Sequence, residues 1–306
     1  MILRLNEISD LGNLELVAAH ITEGFITGLH KSPFHGFSSE FNEHSLYNKG
    51  DSTRHIDWKL YARTEKLFVK HYEDESNLRC YILIDTSLSM QYPENVKFNK
   101  LDFSVVCASA LINLLRKQRD AVSLTLFDKD VYFSSEAKIS STHAKMLFSK
   151  LQEVVDKRSK PTFDESKRSS IASCLHKIAE NIHKRSMVLI FSDMMSKDGM
   201  DDIYAGLQHL RHAKHDVVLF HVLDYPKEVN FDFDNRPYKF VDMETGQEIS
   251  LNPLDYKETF RSLSAEFCQN LKNRCSMYNI DYVEADVSKT FKEILVPYLI
   301  KRAVLH

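Results

Sequence analysis

The residues best suited to chemistry lie in the short stretch "YILIDTSLSM", residues 81–90. An apolar run ends at Asp85, and Ser87 and Ser89 follow at alternate positions. A second apolar run, "VLIF", ends just before Ser192 and Asp193. Carboxylates, hydroxyls and water are hard oxygen ligands, so these residues predict a site for Mg²⁺, Mn²⁺ or Ca²⁺ rather than for zinc.

A plainer interpretation is that Asp85 caps the next element and that Ser87 and Ser89 are turn residues. Two considerations favour a ligand site. In an open α/β sheet, ligands bind beyond the carboxyl ends of the strands, where both Asp85 and Asp193 are predicted to lie. Two carboxylates at one edge also repel each other unless a positive charge lies between them.

Strands and helices alternate from about residue 80 onward. "CYILI", "MVLIFSD" and "DVVLFHVLD" are typical of buried strands, and "AVSLTLFD" with "VYF" predicts a hairpin. The pattern predicts an α/β fold: a doubly wound, mainly parallel sheet with helices on both faces. "NKLDFSVVCASALINLLRKQRD" predicts a helix with one apolar face. That face consists of Phe103, Val106, Cys107, Ala110, Leu111 and Leu114.

Two segments interrupt this alternation. Residues 1–78 predict a small N-terminal lobe, and residues 79–306 predict the α/β domain. Residues 225–252 predict an insertion within that domain. The insertion contains a hairpin that turns near Thr245 and Gly246.

Composition excludes several classes of protein. The 306 residues carry a net charge of −3, which is no basic footprint for nucleic acid. No run approaches the ~18 apolar residues of a membrane helix, and the N-terminus lacks a signal-peptide layout. The five cysteines are scattered and include no C-x-x-C pair. They predict free thiols in a cytoplasmic protein, and they argue against a zinc cluster.

The "DTSLS" stretch resembles the D-x-S-x-S motif of von Willebrand factor A-type domains. The metal-ion-dependent adhesion site of that family takes one more Thr and one more Asp from later loops. The resemblance places Asp193 at the Asp and Ser169 at the Thr; Ser170 and Thr162 are alternatives for the Thr. It implies a von Willebrand A-like fold over residues 79–306 and a site for Mg²⁺, or for Mn²⁺ or Ca²⁺. The implied ligands are Asp85, Ser87, Ser89, Ser169 and Asp193.

The stretch before this domain is similar to the signature of bacterial proteins in which a domain of unknown function precedes a von Willebrand A-like domain. Its patterns are H-x-S, E-F, Y-x-x-G-D, R-x-I-D-W and A-R-T. The chain departs from this signature at Ser45, where many relatives carry Arg, and at Ser52, where they carry an acid. The resemblance implies a partner of the MoxR type of AAA+ ATPase, with which such proteins act as adaptors or co-chaperones.

These residues favour recognition over catalysis. Neutral hydroxyl ligands leave a bound divalent ion electrophilic, so an acidic residue of a client protein can complete its shell. We therefore expect a non-catalytic, metal-dependent protein-binding module. The alternative is a metal-dependent hydrolase that uses the same ion to activate water, although no positioned base is evident beside the motifs. A third hypothesis is a structural scaffold with a vestigial site.

Other candidate residues have simpler interpretations. Six histidines in residues 1–78 lack H-x-H or H-E-x-x-H spacing and are interpreted as surface or core residues. Arg54, Asp57 and Arg63 flank the single Trp58. A catalytic role is one alternative for them, but we expect a buried ion-pair network that docks the N-terminal lobe onto the sheet. The acidic residues 72–76 predict a solvated strand end or an internal ligand of the metal.

Neither of two common catalytic motifs is present. The sequence has no G-x-S-x-G elbow and no G-x-x-x-x-G-K loop, so it indicates neither an α/β-hydrolase nor a P-loop ATPase.

Overall fold

The computed structural model describes residues 14–26, 39–46, 56–74, 78–93, 98–157, 170–196, 199–242 and 246–305. Within these ranges the helices are α1 Leu14–Ile26, α2 Trp58–Thr64, α3 Lys100–Lys117, α4 Ser141–Asp156, α5 Ile171–Asn181, α6 Met200–His212, α7 Pro253–Met277 and α8 Phe291–Leu305. The strands are β1 Ser39–Leu46, β2 Phe68–Asp74, β3 Arg79–Asp85, β4 Ala121–Phe127, β5 Val131–Ser134, β6 Met187–Ser192, β7 Asp216–Leu223, β8 Tyr238–Val241, β9 Glu248–Leu251 and β10 Asp281–Asp286.

The central sheet has six strands in the order β10-β7-β6-β3-β4-β5. The first five are parallel, and β5 pairs antiparallel with β4 as the predicted hairpin. Strands β4 and β6 are buried at every residue because helices cover both faces of the sheet. The prediction of an α/β fold with a mainly parallel sheet is therefore confirmed.

Helices α1, α3, α4 and α8 contribute to the apolar core on one face, and α5, α6 and α7 to the core on the other. None of the helices within the described ranges is long and apolar enough to cross a membrane. The five cysteines are free thiols, as expected, and all but Cys268 are buried.

Helix α3 differs from its prediction. Instead of one apolar face, every residue from Lys100 to Leu115 is buried. The reason is that α1, from the predicted N-terminal lobe, packs with α4 against the side of α3 that the pattern left to solvent. Polar side chains there bond to each other: the Asn113 amide donates to the Thr22 hydroxyl at 3.0 Å. Thus α1 is part of the α/β core, while the boundary at residue 78 remains a prediction.

The burial expected for the docking residues is wrong for Trp58 and for Arg63. Trp58 is 63% exposed and Arg63 is also exposed, so neither is buried against the sheet. Asp57 caps α2, where its carboxylate accepts hydrogen bonds from the backbone of Lys59 and Leu60. Arg54 lies outside the described residues.

The insertion contains the predicted hairpin, since β8 and β9 pair antiparallel. An aromatic cluster joins this hairpin to α7. In it, Phe231 stacks on Phe240 and on Phe260, with ring centroids 5.5 and 4.3 Å apart.

Helices α5 and α6 pack closely at Gly206, which gives a test of the fold. A Cβ atom at Gly206 would lie 3.0 Å from the Leu175 Cβ and 3.3 Å from the Ala172 carbonyl oxygen. Although Ala is favoured over Gly in a helix by ~1 kcal/mol, overpacking costs ~1–3 kcal/mol. We expect Gly206→Ala to lower the free energy of unfolding measured in urea. A gain of stability would contradict this packing.

Candidate functional site

Each of the five parallel strands leads to an aspartate at its carboxyl end. Strands β3 and β10 end at Asp85 and Asp286, and β4, β6 and β7 are followed directly by Asp128, Asp193 and Asp224. Because the strands are neighbours in the sheet, these carboxylates share one edge. The sequence prediction used only Asp85 and Asp193.

Asp85 is completely buried and bound by neutral donors. Its Oδ1 accepts a hydrogen bond from the Ser87 backbone N–H at 3.0 Å. Its Oδ2 accepts one from the Ser192 hydroxyl at 2.6 Å. Burial, and then the nearby charge of Asp193, raise the pKa of Asp85 to about 7. No lysine or arginine within the described residues forms an ion pair with it.

The hydroxyls of the motif divide into two groups. The Ser87 and Ser89 hydroxyl oxygens lie 3.0 Å apart, beside Asp85. The Thr86 hydroxyl points elsewhere and donates to the carbonyl of Phe127 at the end of β4. The two serines of the predicted ligand set are therefore adjacent.

Asp193 is paired with a buried lysine. The Lys100 ammonium lies 2.8 Å from Asp193 Oδ2 and 2.5 Å from Glu228 Oε1. Lys100 and Asp193 have no exposed side-chain surface. Burial alone would lower the pKa of Lys100, but the two carboxylates outweigh it and raise the pKa, so the side chain is charged.

Two helix caps position this ion pair. Asn99 and Asp102 form a capping box that begins α3 at Lys100. Asp224 caps the π-helical turn Tyr225–Val229, and its backbone N–H also donates to Glu228 Oε2 at 2.7 Å. Sequence reasoning missed Lys100 and Glu228 because lysine is rarely fully buried and "NKLD" indicates only a helix start.

His221 on β7 holds the backbone at Asp193. Its Nε2 donates to the Asp193 carbonyl at 3.0 Å, and its Nδ1 accepts from the Tyr282 hydroxyl at 2.7 Å. Burial lowers the pKa of His221 to about 4, so the ring is neutral at pH 7. Both ring nitrogens are thus occupied by hydrogen bonds, and the ring fixes the backbone position of Asp193.

Three residues are candidates for the Thr position of the predicted site. Ser169 and Thr162 lie outside the described residues. Ser170 caps α5: its hydroxyl accepts from the Ser173 backbone at 3.1 Å. The acidic residues 72–76 fall at the end of β2 and partly outside the described ranges, so their predicted role is untested.

The charges of the buried groups at this edge do not balance. Around Lys100 and Asp85 there are three carboxylates, Asp85, Asp193 and Glu228, and one buried ammonium. Two negative charges are therefore uncompensated when all four groups are ionised. Among the described residues no group of three or more His, Cys, Asp or Glu side chains could hold a metal. The predicted set differs from such a group because most of its members are serines.

Comparisons with known proteins give a family without a known activity. The model of the family "Protein of unknown function DUF58" matches residues 43–268. Uncharacterized proteins of Mycobacterium bovis and Mycobacterium tuberculosis are 24% identical over 245 residues, which is 79% of this chain and 73% of each relative. The crystal structure of the conserved hypothetical protein BatB from Bacteroides thetaiotaomicron has a TM-score of 0.46 and 14% identity. The match covers 75% of this chain and 100% of that chain. A likeness at this level does not bear on function.

The buried lysine gives the first prediction for this site. Lys100→Met leaves Asp193 and Glu228 buried without their cation, and breaking a buried ion pair in this way costs about 3–5 kcal/mol. We expect that loss in the free energy of unfolding at pH 7. The matched control is Lys177→Met, because Lys177 pairs with Asp130 at the surface, where a pair contributes at most ~1 kcal/mol. Equal losses in the two variants would contradict the buried pair.

The second prediction for this site concerns the pKa of Asp85. An unfolded aspartate ionises near pH 4, whereas the folded pKa is about 7. The folded state therefore holds a proton that the unfolded chain has released between these values, so stability falls as pH rises from 4 to 7. At ~1.4 kcal/mol per pKa unit the cost above pH 7 is a few kcal/mol.

Asp85→Asn removes this cost while keeping the shape of the side chain. We expect the metal-free variant to be more stable than wild type at pH 8 and equally stable near pH 4, as measured by urea unfolding. A variant that is less stable than wild type at pH 8 would refute the assignment.

Proposed function

Since the chain belongs to the DUF58 family of proteins of unknown function, we propose a function from its site: a non-catalytic, divalent-metal-dependent protein-binding module of the von Willebrand A-like type. The supporting observation is the buried Asp85, which lies beside Asp193 but shares no cation with it. Burial, and then the charge of Asp193, raise the pKa of Asp85 to about 7.

The two aspartates have different roles in this proposal. Asp85, Ser87 and Ser89, with Ser169 as the resemblance implies, hold a Mg²⁺, Mn²⁺ or Ca²⁺ ion. Asp193 contributes mainly its charge, because its oxygens already accept from Lys100 and from the Met195 backbone. The bound ion supplies an electrophilic position for an incoming carboxylate. Lys100 and the two helix caps beside it hold the carboxyl edge of the sheet in place when the ligand at the open position of the ion is exchanged.

The partner follows from this chemistry and from the resemblance. An exposed Asp or Glu of a client protein suits an electrophilic hard cation. A MoxR-type AAA+ ATPase is proposed as a second partner, and this part rests on the N-terminal signature alone. The chain would then act as the adaptor between the ATPase and the client.

A metal-dependent hydrolase is the second candidate. The observation in its favour is the pKa of Asp85, because perturbed buried carboxyls cluster at catalytic sites. Against it, both nitrogens of His221 already have partners, so this histidine does not offer a base. Binding is therefore the better-supported function.

Thermal unfolding with added metal tests the proposal. Chelator-stripped wild type is titrated with Mg²⁺ and with Mn²⁺. Ligand at ~100 times its dissociation constant adds about 2.7 kcal/mol, which raises the unfolding temperature by several degrees. We expect a saturable rise in wild type and in the control Asp130→Ala, whose carboxylate is at the surface. We expect no rise in Asp85→Ala.

Two other results would change the assignment. No metal-dependent rise in wild type would remove the metal from the proposal. Metal-dependent hydrolysis of a phosphate or carboxylate ester, lost in Asp85→Ala, would establish the hydrolase instead.

A further inference from the structure

Two histidines face each other between α5 and α6, and the proposed function does not use them. The Nδ1 atoms of His176 and His209 are 2.9 Å apart, and the ring centroids are 5.1 Å apart. Both side chains are partly buried. The two imidazole nitrogens are therefore at hydrogen-bond distance between two helices.

Close packing of α5 and α6 holds the Nδ1 atoms of His176 and His209 at this distance. Gly206 lets α6 approach α5 so that even a Cβ atom there would press on Leu175. His176 directly follows Leu175, and His209 lies one turn after Gly206. The imidazoles are therefore carried by a closely packed part of the α5–α6 interface.

One proton lies between the two rings. At 2.9 Å one Nδ1 donates and the other accepts, so the two nitrogens converge on one hydrogen atom. A metal ion can take the place of that proton, since a histidine ligand must be neutral and binding releases protons.

The spacing selects the kind of metal. Metal–imidazole bonds of about 2.0–2.1 Å put two nitrogens about 2.9 Å apart when the angle at the metal is 90°, and about 3.3 Å apart when it is tetrahedral. The observed 2.9 Å matches the square or octahedral arrangement that Ni²⁺ and Cu²⁺ prefer. We propose that His176 and His209 form a two-nitrogen site for Ni²⁺ or Cu²⁺ that clips α5 to α6.

The two histidines supply only part of the ligands that a metal ion requires. No third His, Cys, Asp or Glu joins the pair within the described residues. Water, or a ligand from another molecule, takes the remaining positions. Its nitrogen donors also separate it from the oxygen site at Asp85, which favours Mg²⁺ and Mn²⁺.

Calorimetric titration with Ni²⁺ alone as the probe, in saturating Mg²⁺, tests the site on the full chain. We expect one tight equivalent in wild type and an accompanying rise in unfolding temperature. His176→Gln and His209→Gln each remove one of two ligands and should weaken binding about tenfold or more. The matched control is His212→Gln, an exposed histidine on the same helix, which should bind as wild type does.

Three results would overturn the proposal. They are wild type without a tight equivalent of Ni²⁺, unchanged affinity in His176→Gln, and equal weakening in His212→Gln. The wild-type titration and its thermal shift require no substitution. They therefore test the proposal even if one of the variants does not fold. Asp85→Ala should keep its Ni²⁺ affinity, which separates the outcome here from that of the Mg²⁺ test.

Discussion

The Lys100 ammonium, completely buried between Asp193 and Glu228, is the interaction on which the carboxyl edge of the sheet depends. A charge without water is tolerated only with close, well-placed partners. The three residues come from the start of α3, the end of β6 and the turn after β7. The ion pair therefore links the start of α3 to the carboxyl ends of two neighbouring strands.

This ion pair also makes the two predicted aspartates unequal. Asp193 receives the charged Lys100 and the Met195 backbone, whereas the donors to Asp85 are neutral groups of Ser87 and Ser192. Sheet order places them on adjacent strands, so the charge of one raises the pKa of the other. In the proposed function, a divalent ion on the Asp85 side would relieve this repulsion without displacing the lysine. The edge would then combine a fixed cation with an exchangeable one.

Much of this arrangement could be predicted from local sequence. Apolar runs that stop at Asp85 and before Asp193 predict strand ends, and parallel strands bring their carboxyl ends together. Lys100 and Glu228 could not be found this way, because their role depends on which elements pack side by side. The burial of α3 on all sides and the exposure of Trp58 were missed for the same reason: periodicity describes one helix, not its neighbours.

The most direct measurement is an anomalous difference map from crystals of the full chain grown with Mn²⁺. The account predicts a peak in contact with Asp85 and the hydroxyls of Ser87 and Ser89, while Lys100 stays on Asp193 and Glu228. A peak between Asp193 and Glu228 with Lys100 displaced, or no peak at this edge, would contradict it.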